Sequence, residues 1–256
     1  MKKTKIVCTL GPASSTKKII AAMADAGMNV VRLNFSHGLH EDHAEKIRLV
    51  KEVREEKHIP LPIILDTKGP EFRIKTFKNG KIELKEGDTF RFTTEEIEGD
   101  QHRVGVSYPG LCADMKPGDK ILLNNGLIVF IVKEVKAPDV ICTVKVGGEL
   151  SNRKSMFFPD KELNMVFLSE QDKADLLFGI EQGIDFVALS FVSRAQDVLD
   201  ARKFLNEYGG KDIDIIAKIE NRAGVRNLNE IMEVSDGIMV ARGDLGVEIP
   251  YEELPD

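Results

Sequence analysis

Gly27-Met28-Asn29-Val30-Val31-Arg32-Leu33-Asn34-Phe35 and Gly183-Ile184-Asp185-Phe186-Val187-Ala188-Leu189-Ser190-Phe191 are two versions of one pattern. Each places a glycine where a helix should end, follows it with an apolar strand, and finishes that strand in polar residues. Ser235-Asp236-Gly237-Ile238-Met239-Val240-Ala241-Arg242 is a looser third copy. Packing along the strand with chemistry at its C-terminal end is what a (β/α) barrel should show. A doubly wound parallel sheet satisfies the same pattern.

The alternation continues on both sides of these copies. Lys5 to Leu10 reads as a strand, and Ser14 or Ser15 can cap a helix over roughly 16–26. Gly27 sits where a left-handed C-cap is wanted. A strand over 29–34 leads to a charged amphipathic helix over 41–57, with Ile47, Val50 and Val53 on one side, and then to a strand over 62–66. The alternation resumes with a helix over 170–182, a strand over 185–190, a helix near 195–208, a strand over 213–220, a helix near 227–234 and a strand over 237–241. Buried apolar runs separated by helices argue for parallel βαβ units.

Between them, from about 72 to 166, the character changes. Turn signals recur at Asn79-Gly80, Gly87-Asp88, Gly99-Asp100, Pro109-Gly110, Pro117-Gly118, Asn125-Gly126, Pro138-Asp139 and Gly147-Gly148. Lys81-Ile82-Glu83-Leu84-Lys85 alternates as a half-buried strand does. This reads as a small β-barrel or sandwich inserted after the third strand. The expected division is 1–71 and 168–256 for the α/β part, with 72–167 as an inserted lid.

The 256 residues are 42% hydrophobic and 30% charged, enough to bury a core without staples. With 36 Lys+Arg against 42 Asp+Glu, the formal charge of −6 does not suit a nucleic-acid coat or a basic membrane anchor. Cys8, Cys112 and Cys142 are odd in number and widely spaced, so neither a disulfide framework nor a zinc site is expected, and a cytoplasmic setting is. The apolar run from Ile6 to Leu10 is too short for a signal core or a membrane span.

Four polar clusters fall at strand ends. Arg32-Leu33-Asn34-Phe35-Ser36-His37-Gly38 puts Arg32, Asn34 and Ser36 on one face, because residues two apart along a strand point together. Asp66-Thr67-Lys68-Gly69-Pro70-Glu71-Phe72-Arg73 supplies a carboxylate and then an arginine. Lys218 and Glu220 share a face in Lys218-Ile219-Glu220-Asn221, and Gly243 lies beside Asp244 in Arg242-Gly243-Asp244-Leu245-Gly246. Together they offer Arg32, Arg73 and Lys218 as cations and Asp66, Glu220 and Asp244 as anions. That mixture suits a phosphorylated anion bridged to a hard metal, because magnesium takes one or two carboxylates and fills its other positions with water and substrate oxygens. His37, His40 and His43 have a spacing that invites a metal reading, but a solvated first helical turn explains them. No P-loop and no Gly-rich dinucleotide fingerprint occurs.

Thr9-Leu10-Gly11-Pro12-Ala13-Ser14 and the four clusters, the last extended from Met239 to Pro250, resemble the signature stretches of pyruvate kinases in the same order. The resemblance implies an α/β (β/α)8 TIM-type barrel interrupted after strand three by a mobile β-domain. It implies transfer of phosphoryl from phosphoenolpyruvate to ADP, giving pyruvate and ATP. It assigns Glu220 and Asp244 to Mg2+ (or Mn2+), and Lys218 to the transferring phosphoryl group and the enolate. Arg32 and Arg73 would hold phosphates, with Gly243 and Asp244 near the substrate. Asn34, Ser36, Asp66 and Thr67 would hold K+, and Lys154, Arg73, Asn34 and His37 would meet the nucleotide. A glutamate at position 71 goes with potassium dependence in that family. The family also implies a full-length homotetramer and no nucleic-acid or membrane partner.

Two departures stand out. The return hinge, usually Lys-Gly-Val-Asn-Leu-Pro, reads Lys154-Ser155-Met156-Phe157-Phe158-Pro159, and a second proline expected before the helix is replaced near Val166-Phe167. The sequence also reaches only six barrel strands by Asp256, where family members continue with two more strands and a C-terminal domain, so a fragment is expected and activity of these residues alone is uncertain. A metal-dependent aldolase or lyase acting on a pyruvate enolate would share the carboxylate pair. An inactive ligand-binding fragment is the non-enzymatic alternative.

Overall fold

Val7–Thr9, Val30–Asn34, Ile63–Asp66, Phe186–Leu189, Asp214–Ile219 and Gly237–Val240 form one six-stranded sheet in the computed structural model, which describes residues 3–254 apart from 160, 162 and 164. Spatial order equals chain order. Pairing is parallel from the first strand through the fifth. A doubly wound sheet must reverse its strand order at a switch point, and this one does not. The sheet therefore winds in one direction, as in a barrel.

The chain divides into two compact units. One comprises Met1–Pro70, Phe167–Ile219 and Asn227–Met239; the other comprises Glu71–Val166, Glu220–Arg226 and Val240–Asp256.

In the first unit, the second strand shows how the sheet sorts its side chains. Val31 and Leu33 are fully buried, while Arg32 and Asn34 are only half-buried. The apolar pair packs with Ile47, Val50 and Val53 of helix His40–Lys57. Each such side chain contributes roughly 1.5–3 kcal/mol by leaving water. Gly27 ends helix Lys17–Asp25 in the left-handed region at φ +110°, as its position predicts. The residue that caps that helix is Thr16 and not Ser14 or Ser15: its side chain accepts from the Ile19 amide, while the two serines bond back to Gly11 in the short turn Pro12–Ser14. The first strand, at the sheet edge, is less well covered than the inner ones, with Val7 exposed and Ile63–Asp66 buried throughout.

In the second unit, a seven-stranded sheet and a two-stranded ribbon surround a core of Phe90, Phe92 and Phe130. Turn glycines at 80, 87, 118 and 126 have positive φ, as the turn signals require. Strand Ser155–Phe157 pairs with Phe72–Arg73 and with Lys120–Leu123. This accounts for most of the unusual hinge sequence. Met156, Phe157 and Phe158 are buried, and Phe158 lies against Phe72 and Tyr108. Three short helices, Leu111–Asp114, Arg222–Arg226 and Arg242–Glu248, have no counterpart in the sequence expectation.

Candidate active site

Strand register sets the first part of the site. Thr9 is opposite Arg32, Asn34 is opposite Asp66, and Asp66 is opposite Ala188. The next pair of strands is in register through Leu189 and Ala217, one residue before Ser190 and Lys218. Polar residues from five strands thus finish at one end of the sheet, where barrel chemistry resides.

Asp66, 1% exposed, is the hub. One carboxylate oxygen accepts from Arg32 Nε at 2.5 Å, and the other accepts from Lys218 Nζ at 3.0 Å. A buried carboxylate and a buried ammonium are costly apart, so the pair fixes Lys218, itself 7% exposed, in one place. Ser190 completes the arrangement. Its hydroxyl lies 2.8 Å from Lys218 Nζ, 3.2 Å from Asp66 and 2.7 Å from the Thr67 carbonyl. Arg32 also donates to Thr9 Oγ1 at 2.7 Å, which leaves its second terminal nitrogen without a partner among the described residues. A guanidinium held on two sides with one donor group unengaged is preorganised for an anion.

The backbone around this cluster is tightly specified. Gly69 has φ +65°, and a Cβ there would come within 2.8 Å of the Ser190 carbonyl oxygen. Its amide donates to buried Asp172, which also joins the capping box of helix Glu170–Glu181. Phe191, just after Ser190, takes a left-handed conformation at φ 60°, a strained choice for an aromatic residue.

The turn after the second strand carries the other candidate oxygen donors. Ser36 N donates to Asn34 Oδ1 at 3.0 Å, and Phe35 N donates to the Asp66 carbonyl. His37 is exposed. The two histidines that follow are not the solvated first turn the sequence suggested. His43 is 2% exposed, stacked on Phe35 and bonded to the His37 carbonyl. His40 pairs with Asp175 at 2.6 Å and stacks on Phe178. Burial pushes the His43 ring below its ordinary value, partly opposed by the His37 carbonyl.

In the second unit, Glu220 is 1% exposed and Asp244 is half-buried in the first turn of helix Arg242–Glu248. A Cβ at Gly243 would meet nothing within 4 Å, so packing within the chain does not demand glycine there. Arg73 is forked onto Glu71 at 2.8 and 2.9 Å and donates to the Arg153 carbonyl. Ser155 lies 2.5 Å from the same Glu71. Lys154 is half-buried, and its amine takes no partner among the described residues.

Two oxygen-donor sets bear on metals. Glu220 and Asp244 are hard carboxylates of the kind magnesium accepts one or two at a time. No group of three or more His, Cys, Asp or Glu able to hold a metal occurs among the described residues, and the rings of His40 and His43 are engaged by Asp175 and by the His37 carbonyl. The potassium candidates Asn34, Ser36, Asp66 and Thr67 supply amide, hydroxyl, carboxylate and carbonyl oxygens, a fitting set for a hard monovalent ion.

A family model described as pyruvate kinase, barrel domain, matches residues 1–256. The chain belongs to the pyruvate kinase family. It is 48% identical over its whole length to a pyruvate kinase of Clostridium perfringens, of which it covers 54%. It is 50% identical, over 99% of its length, to one of Geobacillus stearothermophilus, of which it covers 44%. A third, from Clostridium acetobutylicum, is 47% identical over the full chain. The chain thus spans about half the length of the curated pyruvate kinases it matches. No helix among the described residues is long and apolar enough to cross a membrane.

The sequence reading missed Ser190 as part of the cluster. Its one signal was the internal repeat, which aligns Ser190 with Asn34 at the strand end.

Proposed function

We propose that this protein transfers the phosphoryl group of phosphoenolpyruvate to ADP in the cytoplasm, giving pyruvate and ATP. The observation that carries this reading is the Asp66 carboxylate shared by Arg32 and buried Lys218. Family membership supports it.

An ADP phosphate oxygen attacks phosphorus, the bond from phosphorus to the enol oxygen breaks, and the enolate then takes a proton on carbon. Lys218 serves the transferring phosphoryl group and the enolate oxygen as a fixed positive charge, held by Asp66 and Ser190. Arg32 binds the phosphate through its unengaged nitrogen, with Gly243 beside the substrate carboxylate. Arg73, Lys154, Asn34 and His37 receive the nucleotide. Glu220 and Asp244 would hold magnesium or manganese, and Asn34, Ser36, Asp66 and Thr67 would hold potassium. Bound there, these cations supply charge neutralisation for the phosphates and the substrate carboxylate. Full activity is assigned to a homotetramer.

The test is phosphoryl transfer measured as pyruvate formed, with and without Lys218→Met. We expect a fall of about 10²–10³-fold, and an unchanged rate overturns the assignment. If these residues alone give no turnover, magnesium-dependent thermal stabilisation by phosphoenolpyruvate that Lys218→Met abolishes still supports the site. Rates that are equal in potassium and in a large non-activating cation would refute the potassium requirement.

A further inference from the structure

We infer that His43 is a positioning residue for the turn Asn34–Gly38: its neutral ring, protonated on Nε2, acts as the template on which the proposed cation- and nucleotide-binding turn is moulded. This deepens the functional reading above and rests on it for the identity of the ligands, but not for the geometry.

Three successive features of the turn meet one imidazole. Phe35 stacks on its face, with centroids 4.0 Å apart and planes 10° from parallel. The His37 carbonyl lies 2.9 Å from Nε2. Gly38, at φ +87°, passes so close that a Cβ would lie 3.3 Å from Nε2. Asn34, just before the stacked Phe35, and Ser36, between Phe35 and His37, are the ones with side-chain oxygens to offer. His43 thus stacks on Phe35, bonds the His37 carbonyl and occupies the space a Gly38 Cβ would need, on either side of Ser36, the one that would coordinate.

The tautomer follows from the partners. A carbonyl only accepts, so Nε2 must carry the hydrogen. Nδ1 is buried without a partner, which suits an unprotonated nitrogen and disfavours a charged ring. The ring cannot drift, because helix His40–Lys57 is fastened on the same side by His40, which pairs with Asp175 and stacks on Phe178. The charged groups that bear on His43 are Lys46 and Asp42 of its own helix and Asp175 of helix Glu170–Glu181.

The experiment uses the 256-residue chain. Long-range proton–nitrogen NMR should show His43 as the neutral Nε2–H tautomer at about pH 7, and an Nδ1–H tautomer or a cationic ring overturns the inference. His43→Phe keeps the stacking and loses the donor, while His43→Gln returns an amide hydrogen near the Nε2 position. In His43→Phe, amide exchange at Ser36, His37 and Gly38 should quicken about tenfold with the rest of the sheet unchanged, and His43→Gln should recover most of it. Binding of Mg-ADP should weaken about fivefold in the first variant and be largely rescued in the second. Unaltered exchange in the turn, or acceleration spread evenly over the chain, overturns the positioning role. If His43→Phe does not fold, the wild-type tautomer and His43→Gln exchange decide the matter. If the native chain binds no ADP while the tautomer and the exchange behave as stated, the nucleotide reading fails and the positioning role stands.

Discussion

Phe90, Phe92 and Phe130 meet edge to face or tilted in the middle of the inserted β segment, whereas the parallel strands of the other unit run out into Asp66, Thr67, Ser190 and Lys218, all buried. Between residues 71 and 166, Thr93 is the only buried polar residue among those described. The inserted segment therefore rests on apolar packing with little polar burial. The parallel-sheet unit gives up part of its core to groups whose burial is costly unless each finds a partner. The contrast separates residues that hold a shape from residues that hold a charge. Mutations in the two places should fail differently.

The largest effect is expected at Phe130. Phe130→Ala removes a ring with no exposure from the centre of the β core and should cost about 3–5 kcal/mol in urea unfolding followed by circular dichroism. A cost below about 1 kcal/mol would show that this core is loosely packed. Gly69→Ala comes next. The left-handed backbone and the approach to Ser190 should cost about 1–3 kcal/mol, with loss of phosphoenolpyruvate-dependent stabilisation, because the displaced neighbour is bonded to Lys218. An intact ligand response would break the proposed link between that backbone and the site.

Ser155→Ala should have a smaller effect. It removes the hydroxyl from Glu71 and leaves the forked Arg73 pair in place, at a cost of about 0.5–1.5 kcal/mol. Ser155→Gly, which restores the residue usual in the family, should additionally quicken amide exchange at Arg73 and Ile74. Equal exchange in the two variants would mean that the hydroxyl, and not the backbone, sets the stiffness of this crossing.

The smallest effect is a pH slope. His43 is lowered by burial, so the folded chain holds it neutral, while the unfolded chain titrates it near 6.5. The unfolded state binds the extra proton, and stability contributed by this group is present above that value and declines as pH falls through it. His43→Gln should flatten the slope in denaturation measured on both sides of that pH. A parallel slope in the variant would place its origin elsewhere.

Much of the fold was legible because helix and strand periods are local. Ile47, Val50 and Val53 announced the buried face of their helix, and Gly27 announced its predecessor's end. Other features were illegible for equally physical reasons. Thr16, Ser15 and Ser14 are all competent caps, and the turn Pro12–Ser14 decides which hydroxyl points at a free amide. The run after Ala241 resembles a glycine-marked turn, yet forms helix Arg242–Glu248 with Leu245 buried. His43 looked like one more polar residue on a charged helix, because the Phe35 ring and the His37 carbonyl that cover it belong to the preceding turn.

The sequence alone determined the alternating architecture, the inserted β segment and the candidate cations and carboxylates, since each is written in a few consecutive residues. Tertiary structure alone decided that the sheet winds one way, that Asp66 is shared by Arg32 and Lys218, and that Ser190 joins them. Asp66 and Lys218 are 152 residues apart, and no local period carries a bond across that distance. It exists because parallel strands in register bring their ends together, and a buried ion pair is stable only where that register holds.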